Sequence, residues 1–241
     1  TAMMAAVSKK IEECLMGKKL VAEPARVFID NLNVVNSPYP EYSPLISADE
    51  SIMIFTSRRS NTTGGGKDEG SDFHYYEDVY ISKQERKVWS RPELIGSSIN
   101  TENHDASVGL SADGFALITY KTNEKGTGGD LYWSLLAGEA WQAPSKFPNG
   151  INTSYFEPRA SFSPDMKELY FSSNRPGGLG GLDIYSVRRL PNGGWGLPKN
   201  LGPVVNTVFD DDAPFIHPDN LTLYFSSKGH ETMGGYDIFR A

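Results

Sequence analysis

Apolar and polar residues alternate along this chain in short bursts of about five residues, each closed by a turn signal, and the same burst returns four times. The clearest copies read SFSPDMKELYFSSN from Ser161 and FIHPDNLTLYFSSK from Phe215. Weaker versions are LISADESIMIFTSR from Leu45 and GLSADGFALITYK from Gly109. In each, two alternating runs flank an Asp-containing tetrad, the pattern of two strands joined by a tight turn, with the aspartate at Asp49, Asp113, Asp165 or Asp219.

A glycine-rich loop follows each copy, then a third short strand: YYEDVYIS from Tyr75, GGDLYWS from Gly128, GGLDIYS from Gly180 and GGYDIFR from Gly234. Its aspartates are Asp78, Asp130, Asp183 and Asp237. A fourth strand is expected around Trp89, Trp141 and Trp195, ahead of the pairs Asn100-Thr101, Asn152-Thr153 and Asn206-Thr207. The turn aspartates from Asp113 onward are 52 and 54 residues apart, and the first unit is longer by a polar, glycine-rich insertion at residues 60–73. One four-stranded sheet cannot bury both its faces, whereas several set radially around an axis can. The expected fold is therefore all-β: a β-propeller of four detectable four-stranded blades over residues 25–241.

The last unit reaches Ala241 directly after its third strand. Residues 31–36, NLNVVN, resemble NLGPVVN at 200–206, which follows the fourth strand of the third unit. Residues 27–32 are therefore expected to supply the fourth strand that closes the last blade, since a closed ring leaves no open edge. The alternative reading is an arc cut from a longer propeller. Ahead of it, Met4, Val7, Ile11, Cys14 and Leu15 follow helical spacing, which predicts one short amphipathic helix over residues 2–17 stopping at Gly17, within an N-terminal segment of residues 1–24.

Composition agrees with many short strands: 24 Gly, 15 Pro, 12 Tyr and 12 Phe. The formal charge is −7, and Lys and Arg are scattered rather than gathered in a stripe, which speaks against a nucleic-acid partner. The lone Cys14 has no partner for a disulfide and no metal-ligand spacing. No apolar run approaches the ~18 residues of a membrane span, so none is expected in this chain. No cofactor motif is present: there is no GxSxG, HExxH, P-loop or CxxC.

Counting back eight residues from each turn aspartate gives an acid every time: Glu41, Asp105, Glu157 and Asp211. This position opens the innermost strand, so the four are expected to ring one mouth of the central channel. Like charges held together repel unless a cation or basic group sits among them, which makes the mouth a candidate ligand site. His104, Arg159 and Arg175 complete the candidate ligand-binding set, with His104 beside Asp105 and facing Glu157 as the acid-base candidate. Arg59, Lys121, Arg175, Lys228 and His230 are expected on loops of the same face. The competing reading is structural: each acid accepts backbone N–H groups within its own blade or the next. Residues that recur in every blade suit turns and blade junctions better than one active site, so no catalytic and no metal-binding residue is assigned.

The repeat SPDxxxLYFSS, the following GGxDIY and the NLGxxVNT linker resemble TolB-type, WD-like propeller repeats of bacterial envelope proteins, over about Val27 to Ala241. They are especially similar to repeats in proteins that join tetratricopeptide helices, a propeller and an OmpA-like peptidoglycan-binding domain, including a component of the type IX secretion system. The resemblance implies a periplasmic module, associated with the outer membrane or peptidoglycan, that binds envelope proteins or cell-wall glycan and is not an enzyme. It implies that the helix ends a tetratricopeptide part. The chain departs from the pattern in having no OmpA-like segment and few blades. A propeller hydrolase or lyase acting on glycans is the alternative, motivated by the acid ring and His104.

Overall fold

The computed structural model describes residues 2–24, 26–70, 72–123 and 128–241; Ala25, at the expected domain boundary, and Ser71, inside the insertion, lie outside the described residues. The four alternating units fold as four blades. The first comprises β1 (Glu41–Ile46), β2 (Ile52–Ser57), β3 (Asp78–Glu85), β4 (Val88–Trp89) and β5 (Glu93–Leu94). The second has β6 (Asp105–Leu110), β7 (Ala116–Thr122), β8 (Gly129–Ala137), β9 (Ala140–Trp141) and β10 (Ser145–Lys146). The third has β11 (Ala160–Phe162), β12 (Glu168–Ser173), β13 (Asp183–Arg188) and β14 (Lys199–Asn200). The fourth has β15 (Asp211–Ile216), β16 (Leu223–Ser227) and β17 (Asp237–Arg240). Each blade is an antiparallel meander whose first strand lies innermost.

The tryptophans fall just before the outer strand rather than in it. Trp89 and Trp141 close hairpins at the ends of β3 and β8, and the outer strands β5, β10 and β14 follow the next proline. Apolar faces interlock blade on blade. Ile54, Val79 and Ile99 of the first blade and its linker meet Leu117 and Trp141 of the second. Val108, Ile118 and Leu131 of the second meet Phe162, Leu169 and Phe171 of the third, with Phe147 and Ile151 of the linker between them. Ile184 of the third meets Val205, Ile216 and Phe225.

Each junction is locked by one buried asparagine. The Asn100 side chain accepts from the Val79 N–H at 2.9 Å and donates to its carbonyl at 3.0 Å. Asn152 does the same to Leu131 at 2.8 and 2.9 Å, and Asn206 to Ile184 at 2.7 and 2.9 Å. Each asparagine belongs to the linker leaving the blade it clasps, so it fixes the point at which the chain crosses to the next.

The expected closure of the fourth blade does not occur. Residues 27–32 form no strand, and Val27, Phe28 and Ile29 are 68, 79 and 92 % exposed. Asn36, which the repeat aligns with the clasping asparagines, bonds instead to the Asn31 side chain, and Ile238, aligned with Val79, Leu131 and Ile184, is 79 % exposed. Pairing across the ends of the arc requires the fourth and first blades to meet, and among the described residues they share no packing comparable with the other three junctions. Val35 nonetheless seats on Met53, Phe55 and Tyr80, so residues 32–36 join the first blade as a linker does.

The N-terminal helix is longer than its periodicity predicts. α1 runs Ala2–Ala22, straight through Gly17, because an interior glycine costs only about 1 kcal/mol and the breaker is Pro24 beyond it. Its expected apolar stripe stays exposed at Val7, Ile11 and Leu15. It is held instead by Lys9, whose ammonium donates to the Gly229 and His230 carbonyls of the fourth blade at 3.3 and 3.2 Å and lies over the Phe209 ring.

Candidate functional site

Glu41, Asp105 and Asp211 open β1, β6 and β15 as expected, and Glu157 lies three residues ahead of β11. Asp105, Glu157 and Asp211 are buried, at 0, 2 and 0 % exposure, and none of the four is among the residues lining the axial cavity. Each folds back onto the residue four positions earlier. Glu41 accepts from the Ser37 N–H and hydroxyl, Asp105 from Thr101, Glu157 from Thr153 and Asp211 from Thr207. An acid, a hydroxyl four residues back and the intervening tight loop make a local unit that the chain can build in every blade.

In the first three blades each acid also meets a cation from the end of the second strand or just beyond it. Arg59 pairs with Glu41 at 3.2 Å, Lys121 with Asp105, and Arg175 with Glu157 at 3.3 Å. The same cations cap linker carbonyls: Arg59 that of Val35, Lys121 that of Ile99, Arg175 those of Gly150 and Ile151. Arg59 also lies over the Phe55 and Tyr80 rings and Arg175 over Phe171 and Tyr185, so these guanidiniums are packed as well as paired. The fourth blade substitutes His230, whose Nε2 donates to the Val205 carbonyl at 2.9 Å and whose ring packs on Phe225 and Phe239. Lys228 turns to Asp210 at 2.8 Å, and Asp211 Oδ1 is left buried without a protein partner. The expected mixed-charge surface of Arg59, Lys121, Arg175, Lys228 and His230 is thus largely spent inside the blades.

His104 is also placed differently. It does not meet Glu157; its Nε2 lies 3.1 Å from Asp68 in the glycine-rich insertion and its Nδ1 3.3 Å from Glu77. The hydrogen bond with Glu77, then that with Asp68, raises its pKa against the opposing effect of burial. Burial pulls Glu77 upward, but hydrogen bonds from His104 and Tyr42 outweigh it and leave the carboxyl below its usual value. Tyr42 is pushed well above the ordinary phenol range, first by burial and then by Glu77, to which its hydroxyl donates. The cluster ties the insertion of the first blade to the start of the second. Among the described residues no group of three His, Cys, Asp or Glu is arranged to hold a metal ion.

The space that does open along the axis is a channel cavity of about 410 Å³. All four inner strands line it two to five residues after their acids, with Ser43, Pro44 and Leu45 from β1, Val108 and Gly109 from β6, Ala160 and Ser161 from β11 and Ala213, Pro214 and Phe215 from β15. The ladder slips here: register shifts fall between Tyr42 and Leu45, Ser107 and Gly109, and Asp212 and Phe215. Ser43 and Ala213 hold φ of 52° and 50°, a left-handed strain on non-glycine residues that places their backbone against the axis. Arg159, from the candidate set, stands at the matching position of the third blade and is the one charged residue of the lining. The sequence carried this site as an offset, the residues two and three past each acid, but no shared residue type marks it.

No family model matches the sequence, and no curated protein matches it. Among solved structures, the putative TolB from Agrobacterium tumefaciens is 14 % identical, with 86 % of this chain and 83 % of that one covered and a TM-score of 0.47. The α-L-arabinofuranosidase from Lactobacillus brevis is 9 % identical over 83 and 71 % of the two chains, with a TM-score of 0.49. The β-propeller domain of the Trilobed protease from Pyrococcus furiosus is 9 % identical over 84 and 54 %, with a TM-score of 0.46. At these identities the likeness is one of fold alone. The expectation that the chain is not an enzyme is withdrawn: the solved structures it resembles include a glycosidase and the propeller domain of a protease, and fold alone neither establishes nor excludes catalysis.

Proposed function

We propose that this propeller is a protein- or glycan-binding scaffold module of the Gram-negative cell envelope, located in the periplasm, and that it takes hold of its partner through the axial channel. The observation that carries the reading is the channel itself: a recess shared by all four blades, mostly apolar, with strained backbone and one cation in its wall. Such a recess is the form that recognition sites take, whereas the repeated acids and their cations are engaged in holding blades together. The envelope setting, and a partner within a secretion or peptidoglycan-associated assembly, follow from the resemblance of the repeats to TolB-type envelope proteins.

Site-specific photo-crosslinking in the source cell tests this. A photoreactive residue at Ser161 or Phe215, on the channel wall, is expected to give a discrete adduct in the envelope fraction. The same residue at Leu197, 93 % exposed on the outer side of the third blade, is expected to give none. Adducts of equal yield from both places, or none from the channel, overturn the reading.

A further inference from the structure

Arg159 is the one charged side chain on the channel wall, and among the described residues nothing neutralises it. Among the described residues no carboxylate lies within salt-bridge distance, and its only hydrogen bond is a 3.5 Å contact to the neighbouring Pro158 carbonyl. Arg59 and Arg175, by contrast, are each bound to an acid and a carbonyl. Beyond it the wall is mostly apolar, with Pro44, Leu45, Pro214 and Phe215, and the hydroxyls of Ser43 and Ser161 are its other polar side-chain groups.

A half-buried guanidinium in the wall of a mostly apolar recess complements one negative group attached to an apolar body. Arginine presents parallel N–H donors spaced for a carboxylate. The walls place the apolar part next to that carboxylate, which describes the last residue of a polypeptide: carboxylate and apolar side chain share one carbon, and the rest of the chain leaves by the open end. We propose that the channel captures the free C-terminus of a partner polypeptide ending in an apolar residue, with Arg159 holding the carboxylate. The proposal rests on the channel being the recognition site and names what enters it.

The test is fluorescence anisotropy with a fluorescein-labelled hexapeptide ending in Ala-Val-Leu, either as the free acid or as the C-terminal amide. The acid is expected to bind at least ten-fold more tightly than the amide. Arg159→Gln is expected to erase that difference and Arg159→Lys to keep part of it. Arg188→Gln, whose exposed ion pair with Glu168 lies away from the channel, is expected to leave it intact. Equal binding of acid and amide, no binding of either, or a difference that survives Arg159→Gln overturns the proposal. N-acetyl-leucine competing as strongly as the hexapeptide assigns the channel to a small free acid and overturns the polypeptide source. If Arg159→Gln fails to fold, the acid-against-amide comparison on the unaltered protein still decides. A channel that crosslinks to an envelope partner while ignoring the carboxylate separates failure of this inference from failure of the binding-module reading.

Discussion

At the scale of single residues, the fold turns on polar side chains placed where backbone would otherwise go unpaired. Asn152 is 4 % exposed and satisfies both backbone groups of Leu131 and the Phe147 carbonyl at 2.9 Å. Asn152→Ala takes this partner from the Leu131 N–H and the Phe147 carbonyl, while the Leu131 carbonyl keeps the Phe147 N–H at 3.1 Å; at about 1–3 kcal/mol for each unpaired group, a loss of about 2–6 kcal/mol is expected in urea unfolding. Asn36→Ala, at the aligned but unclasped position, is expected to cost no more than about 0.5 kcal/mol. Equal losses at the two positions would show that the first-blade linker is clasped after all. His104 supplies a second test. Its pKa is raised, so its contribution is fully present below about 6.5, the unfolded value, and is lost as pH rises through the folded pKa. The groups facing it are Asp68, Glu77, the Tyr76 ring and, through Glu77, Tyr42 and Arg58. Its ring-proton titration by NMR is expected to have a midpoint above 6.5 that falls in Glu77→Gln; a midpoint at or below 6.5 removes the ion-pair account of how the insertion is anchored.

Between residues and the whole lie the inner strands, which crowd each other around the axis. Gly109 on β6 faces β11 so closely that a Cβ would sit 2.5 Å from the Ala160 carbonyl oxygen. Gly109→Ala must therefore push the second and third blades apart, and a loss of about 1–3 kcal/mol is expected in thermal or urea unfolding. Gly66→Ala, in open space on the insertion, is expected to change stability by less than about 0.5 kcal/mol; similar values for the two would mean the strands relax without cost. Elements of this kind were legible in part. Strand order, the turn aspartates and the acid at or just ahead of each inner strand all show in the residue pattern, because each depends on neighbours a few positions away. The cations were legible as residues but not as partners: Lys121 sits on the strand directly across from Asp105, whereas Arg59 and Arg175 come from the loop beyond and reach back. Which of these reaches the acid is a matter of side-chain length and local path. The register slips that open the channel left no common residue type, since Ser43 and Ala213 adopt the same backbone with different side chains.

For the molecule as a whole, the sequence repeat gave four blades but not their closure, because a repeat encodes each blade and its contact with the next while the last contact depends on curvature summed around the ring. The apolar clusters make this concrete: one spans the first and second blades, one the second and third and one the third and fourth, whereas Val35 packs only on the first. Stability is then shared between nearest neighbours, and blades with two junctions open less often than blades with one. β12 has Leu169 and Phe171 and β13 has Ile184 at 0 % exposure, with a blade on either side, while β17 lies at a free edge with alternate residues exposed. Amide hydrogen exchange is accordingly expected to be slowest in β7, β8, β12 and β13, faster in the first blade and fastest in β17. Phe225→Ala, at the third junction, is expected to accelerate exchange through the fourth blade while leaving β2 and β3 of the first unchanged. Uniform acceleration across all four blades would mean that the ring closes and unfolds as one unit, and protection of Ile238 comparable with that of Ile184 would place a clasp at the fourth junction as well.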